Sequence, residues 1–138
     1  MELVEERWSA PALATSVGWL RTEAIDFAST SDVIEPPINA LKLALSEAIT
    51  NAVVHAFRDR DPGTVTVTIT VDTPGGQVRA TVTDDGSGCV PRADSPGLGL
   101  GLPMMSTLAA TLNVCTPASG VGTEVTMSFP LGGPDLAD

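Results

Sequence analysis

The sequence predicts an α+β fold: a two-layer sandwich in which helices stack on one face of a mixed, mostly antiparallel sheet. Three observations predict it. Thr64 to Val71 and Gln77 to Thr83 alternate apolar and polar residues around an Asp72-Thr73-Pro74-Gly75-Gly76 turn, which reads as a half-buried hairpin. Two earlier segments repeat apolar residues at three- and four-residue spacing. The elements run β-α-α-β-β-α-β-β, with no βαβ series to build a parallel sheet.

In chain order, Leu3 to Trp8 reads as a first strand, and Ser9-Ala10-Pro11 carries the punctuation that opens helices. Leu13, Val17, Leu20, Ala24, Phe27 and Ala28 form the apolar stripe of a first helix, broken at Ser29-Thr30-Ser31-Asp32. Pro36-Pro37 sit where a second helix would begin. Its core face holds Leu41, Leu45, Ala48, Ile49, Ala52 and Ala56; the opposite face holds Glu47, Asn51, Val54 and Arg58. That helix should end by Asp59, because Arg60-Asp61-Pro62-Gly63 is a turn sequence. Beyond the hairpin comes a loop from Asp84 to Gly97, then an apolar helix through Met104, Met105, Leu108 and Ala109. Strands around Leu112–Val114 and Glu124–Phe129 close the fold, and residues 132–138 are expected to form a disordered tail after a single domain over 1–131.

Length and composition are consistent with that plan. The 138 residues suit one domain, and a hydrophobic fraction of 43% supplies a core. With aromatics at only 4%, that core must be built from Leu, Val, Ile and Ala. A net charge of -10 repels phosphate backbones and anionic lipid, which disfavours direct nucleic-acid and membrane binding. No run approaches the roughly 18 apolar residues of a membrane span, and Met1 to Glu6 lacks a basic signal-peptide start, so a cytoplasmic protein is expected. Cys89 and Cys115 lack metal-ligand or disulfide spacing and are expected to be buried thiols.

Three segments carry candidate chemistry. In Ser46-Glu47-Ala48-Ile49-Thr50-Asn51-Ala52-Val53-Val54-His55, the four-residue spacing puts Glu47 and Asn51 on one helix face. An amide oxygen is a hard ligand suited to Mg²⁺, and a carboxylate one turn away can accept a proton from a hydroxyl. The same spacing is also that of an ordinary amphipathic helix. In Val82-Thr83-Asp84-Asp85-Gly86-Ser87-Gly88, a carboxylate at a strand end can accept an exocyclic amine, while the glycines let backbone approach a flat base. A plain turn or a cation-binding loop would fit that segment equally. In Gly97-Leu98-Gly99-Leu100-Gly101-Leu102, glycines at a helix start leave N–H groups free for phosphate oxygens. That run is neither a Walker loop nor a dinucleotide fingerprint.

In sequence and in order, these segments resemble the N box and the two glycine boxes of the GHKL or Bergerat ATPase superfamily. The match is similar above all to bacterial anti-sigma factor serine/threonine kinases, through Leu45-Ser46-Glu47-Ala48-Ile49-Thr50-Asn51-Ala52-Val53-Val54-His55-Ala56-Phe57 and the closing Gly122-Thr123-Glu124-Val125-Thr126-Met127. The resemblance covers roughly residues 3 to 131 and implies a Bergerat, histidine-kinase-like ATPase fold.

It also implies roles. Glu47 would be the general base, and Asn51 the Mg²⁺ ligand. Asp84 would read adenine above a turn made by Gly86 and Gly88. Gly97, Leu98, Gly99, Leu100, Gly101 and Leu102 would bracket the phosphates of ATP, with Thr123 near the adenine. His55 would contact the lid or a phosphate, or serve only the helix end. Arg58 and Arg92 are phosphate or partner contacts, or solvated cations. The short segment from Cys89 to Pro96 would be the lid, which fits a kinase that exposes its γ-phosphate and not a long-lid clamp. A phosphorylated-histidine dimerisation segment of the kind histidine kinases carry is not expected. The implied activity is phosphorylation of a STAS-domain anti-anti-sigma factor by a homodimer that also sequesters a sigma factor. A non-catalytic ATP-binding module and a domain cut from a larger sensor are the competing readings.

Overall fold

The structure is a computed structural model that describes residues 3–55, 63–86 and 108–131. Its elements are β1 (Leu3–Pro11), α1 (Ala14–Thr30), α2 (Pro37–His55), β2 (Thr64–Asp72), β3 (Gln77–Asp84), β4 (Thr111–Cys115) and β5 (Thr123–Pro130). The expected third helix and the tail fall mostly outside the described residues.

The strands form one sheet in the order β1-β2-β3-β5-β4, so β3 is central. Every neighbouring pair is antiparallel, which sharpens the expected mixed sheet: β2 and β3, like β4 and β5, are successive antiparallel neighbours, and β5 returns along β3. Period-two alternation then decides what is buried. Val65, Val67, Ile69 and Val71 of β2, Val78, Ala80 and Val82 of β3, and Met127 and Phe129 of β5 all point into one core. Their alternate neighbours, Thr66, Thr68, Thr81 and Thr83 among them, are polar and line the other face. At 100° per residue, Leu41, Leu45, Ala48, Ile49 and Ala52 of α2 and Leu20, Ala24 and Ala28 of α1 complete the core. Helix α2 lies over β3, with lesser contact to β5 and β2, while α1 covers β1 and β2.

Local chemistry sets the ends of these elements. Helix α1 stops in a Schellman turn: Asp32 takes a left-handed φ of 72°, Val33 N–H donates to the Ala28 carbonyl at 3.0 Å, and Asp32 N–H donates to Ser29 at 3.2 Å. Buried Val33 supplies the apolar contact that accompanies this motif. In the β2–β3 turn, the Asp72 carboxylate accepts the Gly75 N–H at 2.8 Å, and Gly76 turns the chain at φ 70°.

Three expectations are corrected. Strand β1 runs through Ser9 and Ala10 to Pro11, which pairs with Thr64, so that triplet does not open a helix. β1 is an edge strand, where proline's missing N–H costs no ladder bond. Leu13 is 44% exposed and not part of the stripe, because it caps α1 with an extended backbone (φ -118°, ψ 152°) and helical periodicity does not reach it. Cys115 is exposed, not buried, since it ends the short edge strand β4 on the polar face opposite Glu124. Cys89 lies outside the described residues.

Candidate functional site

The sequence of α2 sets up the first half of the site. Ala48, Ile49 and Ala52 are drawn into the core, which turns Glu47 and Asn51 to the flank of the helix, where both are half-buried. The Asn51 side-chain nitrogen is fully buried and has no hydrogen-bond partner among the described residues. A buried amide donor left unmade costs about 1–3 kcal/mol. Such a cost marks a position where a ligand can offset it. An asparagine amide presents a donor at one end and an acceptor at the other, and a half-turn of the side chain exchanges them.

The second half lies at the end of the central strand. Asp84 closes β3 and is only 6% exposed. Gly86 N–H donates to its Oδ1 at 2.9 Å, and the backbone of Thr123 also hydrogen-bonds the carboxyl. Burial nonetheless holds this carboxyl above the ordinary carboxylate range; the two backbone bonds oppose the shift, and the neighbouring Asp85 charge adds to it. Two backbone donors leave lone pairs on an ionised carboxylate, which can accept and not donate.

Thr123 faces Asp84 across the β3–β5 ladder and is itself 5% exposed. Asp85, to which the sequence reading gave no role, accepts the Thr64 N–H at 2.9 Å and so fastens the start of β2 to the end of β3. Gly122 is the other residue that reading left without a role. It sits at φ 94°, and a Cβ there would overlap the main-chain carbonyl oxygen of Asp84 and come within 2.9 Å of the Asp85 Cα. The signal was present as the glycine before Thr123, but its meaning depends on the β3–β5 register.

Of the expected site residues, Glu47, Asn51, Asp84, Gly86 and Thr123 are therefore built on α2 and on the ends of β3 and β5. His55 is the final residue of α2. Gly88, Gly97, Leu98, Gly99, Leu100, Gly101 and Leu102 lie outside the described residues, as do Arg58 and Arg92.

The donor set suits the groups that the sequence implies. Mg²⁺ in nucleotide sites takes one or two protein oxygens and fills its other positions with water and phosphate, so one half-buried amide is an adequate protein share. A buried acceptor at a strand end, beside glycine backbone, suits a base bearing an exocyclic amine.

A helix flank bearing Glu47 and Asn51, packed over a central antiparallel strand that ends in a buried aspartate, defines a Bergerat-type ATPase domain as the class. The chain belongs to the family of histidine kinase-like ATPase domains, whose match spans residues 10–129. Among its relatives is blue-light-activated histidine kinase 2 of Erythrobacter litoralis, 39% identical over 109 residues; the match covers 75% of this chain but 31% of that protein, so the chain spans about a third of its length. The anti-sigma F factor of Clostridium beijerinckii is 28% identical over 116 residues, covering 76% of this chain and 79% of that one. The chain also superposes on a structure of the RsbU and RsbW domains of Rv1364c from Mycobacterium tuberculosis, with a TM-score of 0.68 at 19% identity, over 91% of this chain and 31% of that one. The α+β fold and the family that the motifs imply are thus borne out.

Proposed function

We propose that this domain binds ATP with Mg²⁺ and acts as an anti-sigma factor protein serine/threonine kinase, phosphorylating a STAS-domain anti-anti-sigma factor and sequestering a sigma factor. The observation that carries the reading is the buried Asp84 carboxylate, fastened by the backbone of Gly86 and Thr123 at the end of the central strand. The similarity to an anti-sigma F factor along most of that protein's length supports the regulatory assignment.

In this reading Asp84 accepts the exocyclic amine of adenine, with Thr123 beside it and Gly86 beneath the base. Gly88 completes that turn, the glycines from Gly97 to Gly101 hold the phosphates through backbone N–H groups, and His55 contacts the lid or a phosphate. Asn51 supplies the protein oxygen to the metal, and Mg²⁺, when bound with the nucleotide, neutralises phosphate charge. Glu47 accepts the proton of the attacking serine or threonine hydroxyl as its oxygen bonds to the γ-phosphorus and ADP departs. Positioning supplies most of the rate in such transfers, so Asn51 matters at least as much as the base. A homodimer is part of the proposal.

The test is transfer of labelled phosphate from ATP to purified STAS-domain proteins of the same organism. Wild type should label one of them, and Glu47→Ala should retain nucleotide but lose labelling. Binding without transfer by wild type would replace the kinase with a nucleotide-holding regulatory module.

A further inference from the structure

We propose that Gly122 is a positioning residue for base recognition, holding the Asp84 carboxylate where it can accept an exocyclic amine. The inference rests on the nucleotide reading given above and assigns a specificity role to a residue outside its expected contacts.

Three observations carry it. First, Gly122 and Asp84 are in steric contact with no room between them: a Cβ on Gly122 would overlap the Asp84 carbonyl oxygen and stand 2.7 Å from its carbonyl carbon. These are backbone atoms, fixed by the pairing of Asp84 with both Val65 and Thr123, and they cannot swing aside as a flexible side chain would. Second, Gly122 adopts φ 94°, a conformation that L side chains rarely take. Third, the peptide that follows Gly122 contains the Thr123 N–H, and the Thr123 backbone is one of two that hydrogen-bond the Asp84 carboxyl. The left-handed turn at Gly122 therefore does two things at once. It lets the β5 chain close on the end of β3, and it delivers the Thr123 N–H to the carboxylate.

The atoms that a side chain at position 122 would displace belong to Asp84 and Asp85. A substitution there should therefore strike the carboxylate before it strikes the phosphate-binding parts of the site. Gly120, also at positive φ (83°), provides the contrast, because a Cβ there meets nothing within 4 Å.

The experiment measures affinity for two nucleotides, ATP and purine riboside triphosphate, which is the same molecule without the 6-amino group. Wild type should prefer ATP by about 10- to 100-fold, the range for a hydrogen bond to a charged group. Gly122→Ala should lose most of that preference while its affinity for purine riboside triphosphate changes less than about twofold. Gly120→Ala should keep the preference. An equal loss for both nucleotides in Gly122→Ala would overturn the proposal and leave Gly122 a purely structural turn. A wild type that binds both nucleotides equally would overturn base reading by Asp84, and this proposal with it; a wild type that binds neither would overturn the nucleotide reading itself.

A measurement on protein with Gly122 intact guards against a variant that does not fold. The Thr123 amide proton should be shifted downfield and protected from exchange, and Asp84→Asn should move it upfield. An unmoved Thr123 amide would contradict the role given to Gly122.

Discussion

Asp84, the last residue of β3, stands directly opposite Thr123, the first residue of β5, and both are buried. A carboxylate and a hydroxyl residue thus occupy the end of the sheet's central pair, where an all-apolar pair would make the simpler core. Burial of Asp84 is compensated only in part, since its carboxyl stays above the usual range despite two backbone bonds.

That shift has a defined sign. A folded-state pKa raised above the unfolded value means that the folded chain holds a proton which the unfolded chain has already released. The associated stability is fully present below the unfolded pKa and is lost as pH rises through the folded pKa. Melting temperatures of the nucleotide-free wild type, measured against Asp84→Asn from about pH 7 down to about pH 4, should therefore shift in favour of wild type as the pH falls. A constant difference across that range would show that Asp84 is not the titrating group.

Asn51 should separate stability from function. Its buried nitrogen has no partner among the described residues, so Asn51→Ala removes a desolvated donor along with the side chain. Chemical denaturation should place the variant within about 1 kcal/mol of wild type. The Mg²⁺-dependent part of ATP affinity should fall by about 10- to 100-fold, the usual cost of losing a metal-site partner.

Ile49 is the structural counterweight on the same helix. It is fully buried between Glu47 and Asn51 in sequence and faces the core. Ile49→Ala should cost about 2–5 kcal/mol in denaturant unfolding. Nucleotide affinity of the folded fraction should change far less than in Asn51→Ala, because the two residues share a helix but not a face.

Cys115 offers a direct check on the sheet's outer face. In a Cys89→Ser background, Cys115 should react with a small maleimide in the native state, at a rate within about tenfold of the unfolded chain. Complete protection would mean that the edge of β4 is covered.

Much of this arrangement was legible in the residues. Alternation of threonine with valine or isoleucine over Thr64–Val71 can bury one face only as a strand, and Leu41 to Ala52 can form one stripe only as a helix. Asp84 could be picked out by its place between a strand and glycines. Cys115 was misjudged because exposure on a short edge strand depends on sheet order, which local alternation does not contain. Leu13 was misjudged because it lies one residue before helical geometry begins. Gly122 carried no readable role for a deeper reason: a glycine before a strand is common, and only the pairing of β5 with β3 brings its Cα against the Asp84 carbonyl.

The most direct test of the central claim is calorimetric titration of ATP with Mg²⁺ into wild type and Asp84→Asn. Saturable binding by wild type, weakened about 10- to 100-fold in Asp84→Asn, is the predicted result. Equal affinity in the two proteins, or no binding by a folded wild type, would contradict the assignment of this site to ATP.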